Sequence, residues 1–112
     1  MKAYEELSGD TPVRRKVFDR YKLRAYRQAR GVTQLQLALA CNWSERSGPG
    51  RVRQLESGRY KHKLTRAMLE KLARALSRWG DRVRPKDLLT WSDQLDESRE
   101  IYETLTLTRR RR

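Results

Sequence analysis

Apolar residues recur every three or four positions along much of this chain, which is the pattern of amphipathic helices. Before the first such stretch, Thr11-Pro12 is a favourable helix start, and after it Gly31 is a favourable stop. The sequence therefore predicts helix 1 over residues 12–30. Residues 1–11 carry few apolar side chains and are expected to form a mobile N-terminal arm.

Helix 2 is predicted over residues 34–41, where Leu37 and Ala38 belong to a small apolar face. Thr33 and Gln36 stand at the start of this stretch with the spacing of a capping box. In a capping box each side chain bonds the backbone N–H of the other residue, which satisfies two groups that a helix start leaves unpaired.

Helix 3 is predicted over residues 49–57, directly after a polar loop. Val52 and Leu55 supply its apolar stripe, and Gly58 is its stop. A helix that began at Ser44 would hold a Gly-Pro-Gly run in its interior, which is strongly unfavourable. The start is therefore placed after the loop, with Ser47 or Gly48 as the capping residue.

Another helix is predicted further along. Thr65 caps a fourth helix that runs to about Arg78, and its wide apolar stripe is typical of a buried face. The stripe consists of Met68, Leu69, Leu72, Ala73 and Leu76.

The C-terminal segment, residues 91–108, allows two interpretations. Its apolar residues have heptad-like spacing at first, whereas over residues 101–108 they alternate with polar residues as in a strand. A helix to about Glu100 followed by a strand satisfies both patterns. The apolar side chains either meet a second copy of the chain or fold back on its own core. Residues 109–112 are four arginines and are expected to form a disordered basic tail.

The charge of the chain is distributed unevenly. The 112 residues carry a net charge of +13. Residues 11–63 hold 14 Lys and Arg against three acidic residues, whereas residues 87–108 hold one Arg against six. Positive charge thus coincides with helices 1 to 3, where a polyanion would bind. No apolar run is long enough for a membrane span, no secretory signal is recognisable, and Cys41 is the only cysteine. We expect a protein of the reducing cytoplasm.

The motif residues of helices 1 to 3 resemble those of a known family. They are Arg27, Gly31, Thr33-Gln34, Leu37-Ala38 and Glu56-Ser57-Gly58. In this spacing they resemble the Cro/repressor-type (XRE) helix-turn-helix proteins, which bind DNA, over about residues 17–89. The resemblance implies an all-α, five-helix, lambda-repressor-like bundle with a C-terminal extension, in which residues 83–89 would form the short fifth helix. The chain departs from the family after Ser44, where the turn before helix 3 is about four residues longer.

The resemblance implies that helix 3 lies in the major groove and that helix 2 contacts the DNA backbone through Gln34. Arg51 and Gln54 are the predicted base-contacting residues, because Arg can bond guanine O6 and N7 and Gln can bond adenine N6 and N7. Gly50 also occupies a base-facing position, and Arg53 can bind a base or a phosphate. The predicted backbone contacts are Arg46 and Ser47 in the turn and Arg59, Lys61 and Lys63 in the loop after helix 3. A merely solvated basic helix is the alternative.

Three further residues of this region have structural interpretations. The resemblance implies that Arg27 forms an ion pair with Glu56, which would hold helix 1 against helix 3. The alternative for Arg27 is a contact with a DNA phosphate. Cys41 is expected to fill the core and not to act as a reactive thiol. Trp43 is expected to pack in the core and not to stack on a base.

Together these features predict a sequence-specific double-stranded DNA-binding transcriptional regulator of prokaryotic or phage type, with a helix-turn-helix domain over residues 12–90. The prediction includes no cofactor, no metal and no catalytic residue. A homodimer on an inverted repeat would add specificity. The acidic extension, residues 91–108, would be its dimerisation element or a surface for a protein partner.

Three other functions compete with this prediction. A DNA-binding antitoxin would use the same fold and could mask its toxin with the acidic extension. An interaction module that had lost DNA binding would not need the basic residues of helix 3. An enzyme such as a nuclease would need a carboxylate cluster or a histidine pair, and His62 is the only histidine.

Overall fold

The computed structural model describes the backbone of residues 15–110 and the side chains of residues 15–102. In this range five α-helices and one small antiparallel sheet form the fold, so the predicted all-α class is confirmed. The elements are β1 Lys16–Phe18, α1 Arg20–Ala29, α2 Gln34–Ala40, α3 Gly48–Ser57, α4 Arg66–Leu76, β2 Leu89–Trp91 and α5 Leu95–Arg110. No helix of the described part is long and apolar enough to cross a membrane.

The predicted start of helix 1 at residue 12 is wrong, because α1 begins only at Arg20. Residues 16–18 are extended and pair with β2. Asp19 then caps α1: its Oδ1 accepts hydrogen bonds from the backbone N–H of Tyr21, at 3.0 Å, and of Lys22, at 3.2 Å. A carboxylate at this position satisfies N–H groups that have no partner within the helix. The predicted N-terminal arm lies outside the described residues.

The helices that the capping signals mark have the predicted bounds to within about two residues. In α2 the capping box is present, since Thr33 Oγ1 accepts from Gln36 N at 3.0 Å and Gln36 Oε1 accepts from Thr33 N at 2.8 Å. In α4 the hydroxyl of Thr65 accepts from Met68 N at 3.2 Å. A 3-10 turn, Ser77–Trp79, follows α4 and completes the predicted fourth helix.

Two predictions for the C-terminal third are wrong. Only a 3-10 turn, Pro85–Leu88, stands where a fifth α-helix was expected, because Leu89 is extended and begins β2. The expected strand over residues 101–108 is helical, as part of α5. The short strand of this region is therefore β2, where Trp91 lies opposite Lys16. The first two arginines of the predicted basic tail belong to α5, and the last two lie outside the described residues.

The hydrophobic core lies between α1, α2, α3 and α4. Its fully buried side chains include Leu23, Leu37, Val52, Leu72 and Leu76, one or two from each helix. Cys41 and Trp43 also join it, as the sequence predicts.

The last helix, α5, packs against α1. Ser98, on α5, is buried, and its hydroxyl donates a hydrogen bond to Asp19 Oδ2. Asp19 is completely buried as well, so one carboxylate caps α1 and also bonds α5. Of the two interpretations of the C-terminal segment, folding back on the chain's own core therefore holds for the beginning of α5.

Candidate nucleic-acid interface

The turn between α2 and α3 brings the two helices into close contact. A Cβ atom placed on Gly48 would lie 2.7 Å from the Cβ of Ala38 and 3.2 Å from the Cβ of Trp43, so a larger residue would push the helices apart. Asn42 makes the turn possible with a left-handed backbone, at φ +63°. The small residues at positions 38 and 48 thus determine how closely α3 packs against α2.

The residues that lengthen the connection between α2 and α3, residues 44–47, form one short helical turn. Ser44 Oγ accepts a hydrogen bond from Ser47 N at 3.0 Å, as a capping hydroxyl does, and Gly48 N donates to Ser44 O at 2.7 Å. Ser47 stands at the capping position of α3, but its side chain makes no capping bond to that helix. Because Pro49 has no N–H, one fewer group at this helix start needs a partner. The interface therefore gains a turn in front of α3 that carries Arg46 and Ser47, both exposed.

Arg27 and Glu56 form an ion pair with two hydrogen bonds. The distances are 2.5 Å from Arg27 Nε to Glu56 Oε2 and 2.9 Å from Nη2 to Oε1, and the two side chains are only 11% and 5% exposed. Arg27 Nη1 also donates to Val32 O at 2.9 Å, and Gln34 Nε2 donates to Glu56 Oε1 at 3.2 Å. Through Glu56, the pair joins α1, α2 and α3 and places Gln34 at their junction.

Arg20 holds the far end of α3. Its Nη1 donates to the carbonyl of Glu56 at 3.0 Å, where a cation also interacts favourably with the helix dipole. The side chain passes over Gly58, where an added Cβ would come within 3.0 Å of Arg20 Nε. Gly58 ends the helix with φ +79°, a conformation that favours glycine. The guanidinium is fixed further by the ring of Tyr21, at 4.2 Å.

An arginine-rich cleft opens where α1 faces α2 and the end of α3. It is lined by Arg20, Arg24, Arg27, Gln28, Gln34, Arg53, Glu56, Ser57 and Arg59. Among these lining residues the one carboxylate is Glu56, which is already bonded to Arg27 and Gln34. The charges of Arg24, Arg53 and Arg59 therefore have no further carboxylate to neutralise them among the described residues that line the cleft. This arrangement suits a phosphate group.

The arginine-rich cleft includes two arginines, Arg20 and Arg24, that are not among the contacts predicted from the sequence. A signal was available, because residues 20, 24 and 27 lie on one face of a helix and Arg27 was already expected to face helix 3.

The outward side of α3 presents the predicted base-contacting residues to solvent. Arg51, Arg53 and Gln54 are exposed, and Gly50 is half-exposed. The guanidinium of Arg51 stacks over the ring of Trp43, with 4.8 Å between the guanidinium carbon and the ring centroid. Trp43 thus supports Arg51 from beneath and restricts its orientation.

The loop after α3 carries the remaining predicted contacts. Arg59, Lys61 and Lys63 are exposed, and Arg59 N donates to Gln54 O at 2.9 Å, which ties the loop to the end of α3. Tyr60 anchors the loop on the core side, with its hydroxyl 3.5 Å from Met68 Sδ. The structure brings Gln34, Arg53 and Arg59 together at the arginine-rich cleft, whereas the other predicted contacts lie on α3, in its preceding turn and in this loop.

A helix-turn-helix family model matches residues 23–78, half of the chain. The chain belongs to the Cro/repressor-type (XRE) helix-turn-helix family. As a member of this family it is a DNA-binding regulator, in which α2 and α3 form the helix-turn-helix. No curated protein and no solved structure matches the chain.

The described side chains also bear on metal binding and thiol chemistry. Over the described side chains, no group of three His, Cys, Asp or Glu is placed to hold a metal ion. Burial raises the pKa of the Cys41 thiol to about 11, so this cysteine stays protonated at neutral pH. A thiol in this state is a poor nucleophile and serves as part of the core.

Proposed function

We propose that this helix-turn-helix protein is a transcriptional regulator of prokaryotic or phage type that binds a specific duplex sequence in the cytoplasm. The observation that carries the proposal is the outward side of α3, where Arg51, Arg53 and Gln54 are exposed beside the arginine-rich cleft. Arg and Gln are the side chains that bond guanine and adenine in the major groove. α3 lies in that groove, with Arg51 and Gln54 on base edges.

Phosphate contacts hold α3 in register. Arg24, Arg53 and Arg59 bind the DNA backbone at the arginine-rich cleft, together with Gln34 at the start of α2. Arg46 and Ser47 bind it from the turn before α3, and Lys61 and Lys63 from the loop after it. These contacts supply affinity for any duplex, whereas specificity comes from α3.

The test of this proposal begins with selection of bound duplexes from a random pool. On the selected sequence, Arg51→Ala and Gln54→Ala are each expected to weaken binding by about 1–3 kcal/mol, with little change on random duplex. Arg66→Ala is the matched control, because Arg66 is an exposed arginine on α4 that is not among the proposed DNA contacts. No enriched sequence, or equal losses on both duplexes, would refute sequence-specific binding by α3.

A homodimer on an inverted repeat is part of the proposal. One helix-turn-helix contacts few bases, and two copies would place their α3 helices about 34 Å apart, one turn of DNA. The acidic extension supports dimerisation, because half of the surface of Ile101, on α5, is exposed. Sedimentation of the full chain should show a dimer, and Ile101→Glu should shift it toward monomer. A chain that stays monomeric at high concentration, both alone and on DNA, would remove the dimer from the proposal.

A further inference from the structure

A second polar cavity lies on the side of α1 that faces away from the arginine-rich cleft. Lys22 and Tyr26 of α1 line this cavity, whereas Arg24 and Arg27 line the cleft. Residues two positions apart on a helix point to opposite sides, which separates the two sites. The other walls come from the β1–β2 sheet, from the turn before β2 and from α5. We call it the lysine cavity.

Positive charge dominates the walls of the lysine cavity. Among the lining residues that the structure describes, Lys16, Lys22 and Lys86 stand against one carboxylate, that of Asp87. That carboxylate already has its partner, since Asp87 Oδ2 accepts from the backbone N–H of Arg84 at 2.8 Å. This bond is the main reason that the pKa of Asp87 lies below its usual value. The excess cationic charge favours an anion as the ligand.

Aromatic side chains supply the remaining shape of the cavity. Trp91, Tyr26 and Tyr102 line it, all of them partly buried. Lys16 Nζ lies 5.2 Å from the centroid of the Trp91 ring, and Lys22 Nζ donates to Leu89 O at 3.0 Å, so cations and rings are held side by side. A ligand that combined a negative group with a flat ring would meet both kinds of wall.

We propose that the lysine cavity binds a small aromatic anion, a ligand separate from DNA. Its negative group is bound by Lys16, Lys22 and Lys86, and its ring packs against Trp91 and Tyr26. The cavity joins β1, α1, β2 and α5, so an occupied site would fasten the C-terminal helix more firmly to α1.

Benzoate is the probe, with acetate carrying the charge alone and benzamide the ring alone. The indole N–H signals of the full chain are followed by nuclear magnetic resonance at constant ionic strength, and the signal that Trp91→Phe removes is that of Trp91. Benzoate is expected to shift the Trp91 signal saturably and to leave that of Trp43 unmoved. Acetate and benzamide are expected to bind at least about fivefold more weakly than benzoate, since each meets only one kind of wall.

The variant Lys16→Gln/Lys86→Gln removes two exposed charges and keeps the bond from Lys22 to Leu89. We expect it to weaken benzoate binding about fivefold, whereas Lys71→Gln, an exposed lysine of α4, changes nothing. Thermal unfolding of each variant verifies that it is folded, and Lys86→Gln alone replaces the double variant if that one unfolds. Three results would overturn the proposal: equal binding of benzoate and acetate, a benzoate shift at Trp43 in place of Trp91, or displacement of benzoate by duplex DNA, which would make DNA the occupant.

Discussion

The ion pair between Arg27 and Glu56 allows a quantitative test of how α3 is held. Arg27→Met removes the cation and leaves the Glu56 carboxylate at a site where only 5% of its side chain is exposed. Glu56→Met removes the anion and leaves the cation of Arg27, whose side chain is 11% exposed. In either variant a charge remains buried at the junction of α1, α2 and α3 without its partner.

The size of the effect follows from this burial. Removing one partner of a buried pair costs about 3–5 kcal/mol of folding stability. Gln34 still bonds Glu56 when Arg27 is replaced, and Val32 O still accepts from Arg27 when Glu56 is replaced. We therefore expect each single variant to lose about 3 kcal/mol, at the lower end of that range. The double variant leaves no unpaired charge and should lose no more than either single one, which makes the coupling energy at least about 3 kcal/mol in magnitude.

Urea unfolding of the wild type, the two single variants and the double variant measures this coupling directly. Arg66 and Glu70 supply a control in the same protein, because they form an ion pair of 3.5 Å on the surface of α4 with side chains 89% and 49% exposed. Their coupling should not exceed about 0.5 kcal/mol. Losses at Arg27 and Glu56 that simply add would show that the two residues stabilise the fold independently, and the reasoning from burial would fail.

Three further predictions concern the packing, the interface and the core thiol. Gly48→Ala is expected to cost about 1–3 kcal/mol in urea unfolding, because its Cβ would lie 2.7 Å from that of Ala38; Ala38→Gly in the same chain should restore part of the loss, and no restoration would contradict the contact. Arg24→Gln should make the negative slope of log affinity for duplex DNA against log salt less steep by about 0.9, which corresponds to one phosphate contact, and an unchanged slope would remove Arg24 from the interface. Burial raises the pKa of Cys41 from 9.0 to about 11, so the unfolded chain loses this proton first and folding stability should fall between these pH values. Cys41→Ser should lack that part of the fall, and an identical pH profile would contradict it.

The sequence by itself determined the bounds of α2, α3 and α4, because these bounds depend on short-range bonds. Thr33 and Gln36 form the capping box of α2 three residues apart, and Thr65 caps α4 over the same distance. Gly58 ends α3 because glycine adopts the left-handed backbone conformation with little steric strain. The spacing of apolar residues also identified the buried faces, because side chains three or four positions apart lie on the same side of a helix.

The tertiary structure alone decided the two ends of the described chain. Residues 16–18 are extended because they pair with residues 89–91, and the N-cap of α1 bonds Ser98 across 79 positions of sequence. Short-range sequence patterns carry no information about such distant partners. The patterns therefore place the start of helix 1 too early and predict a strand where α5 is helical. The arginine-rich cleft and the lysine cavity have the same origin. Each gathers cations from elements far apart in sequence, and their charges become a site only when packing places them around one space.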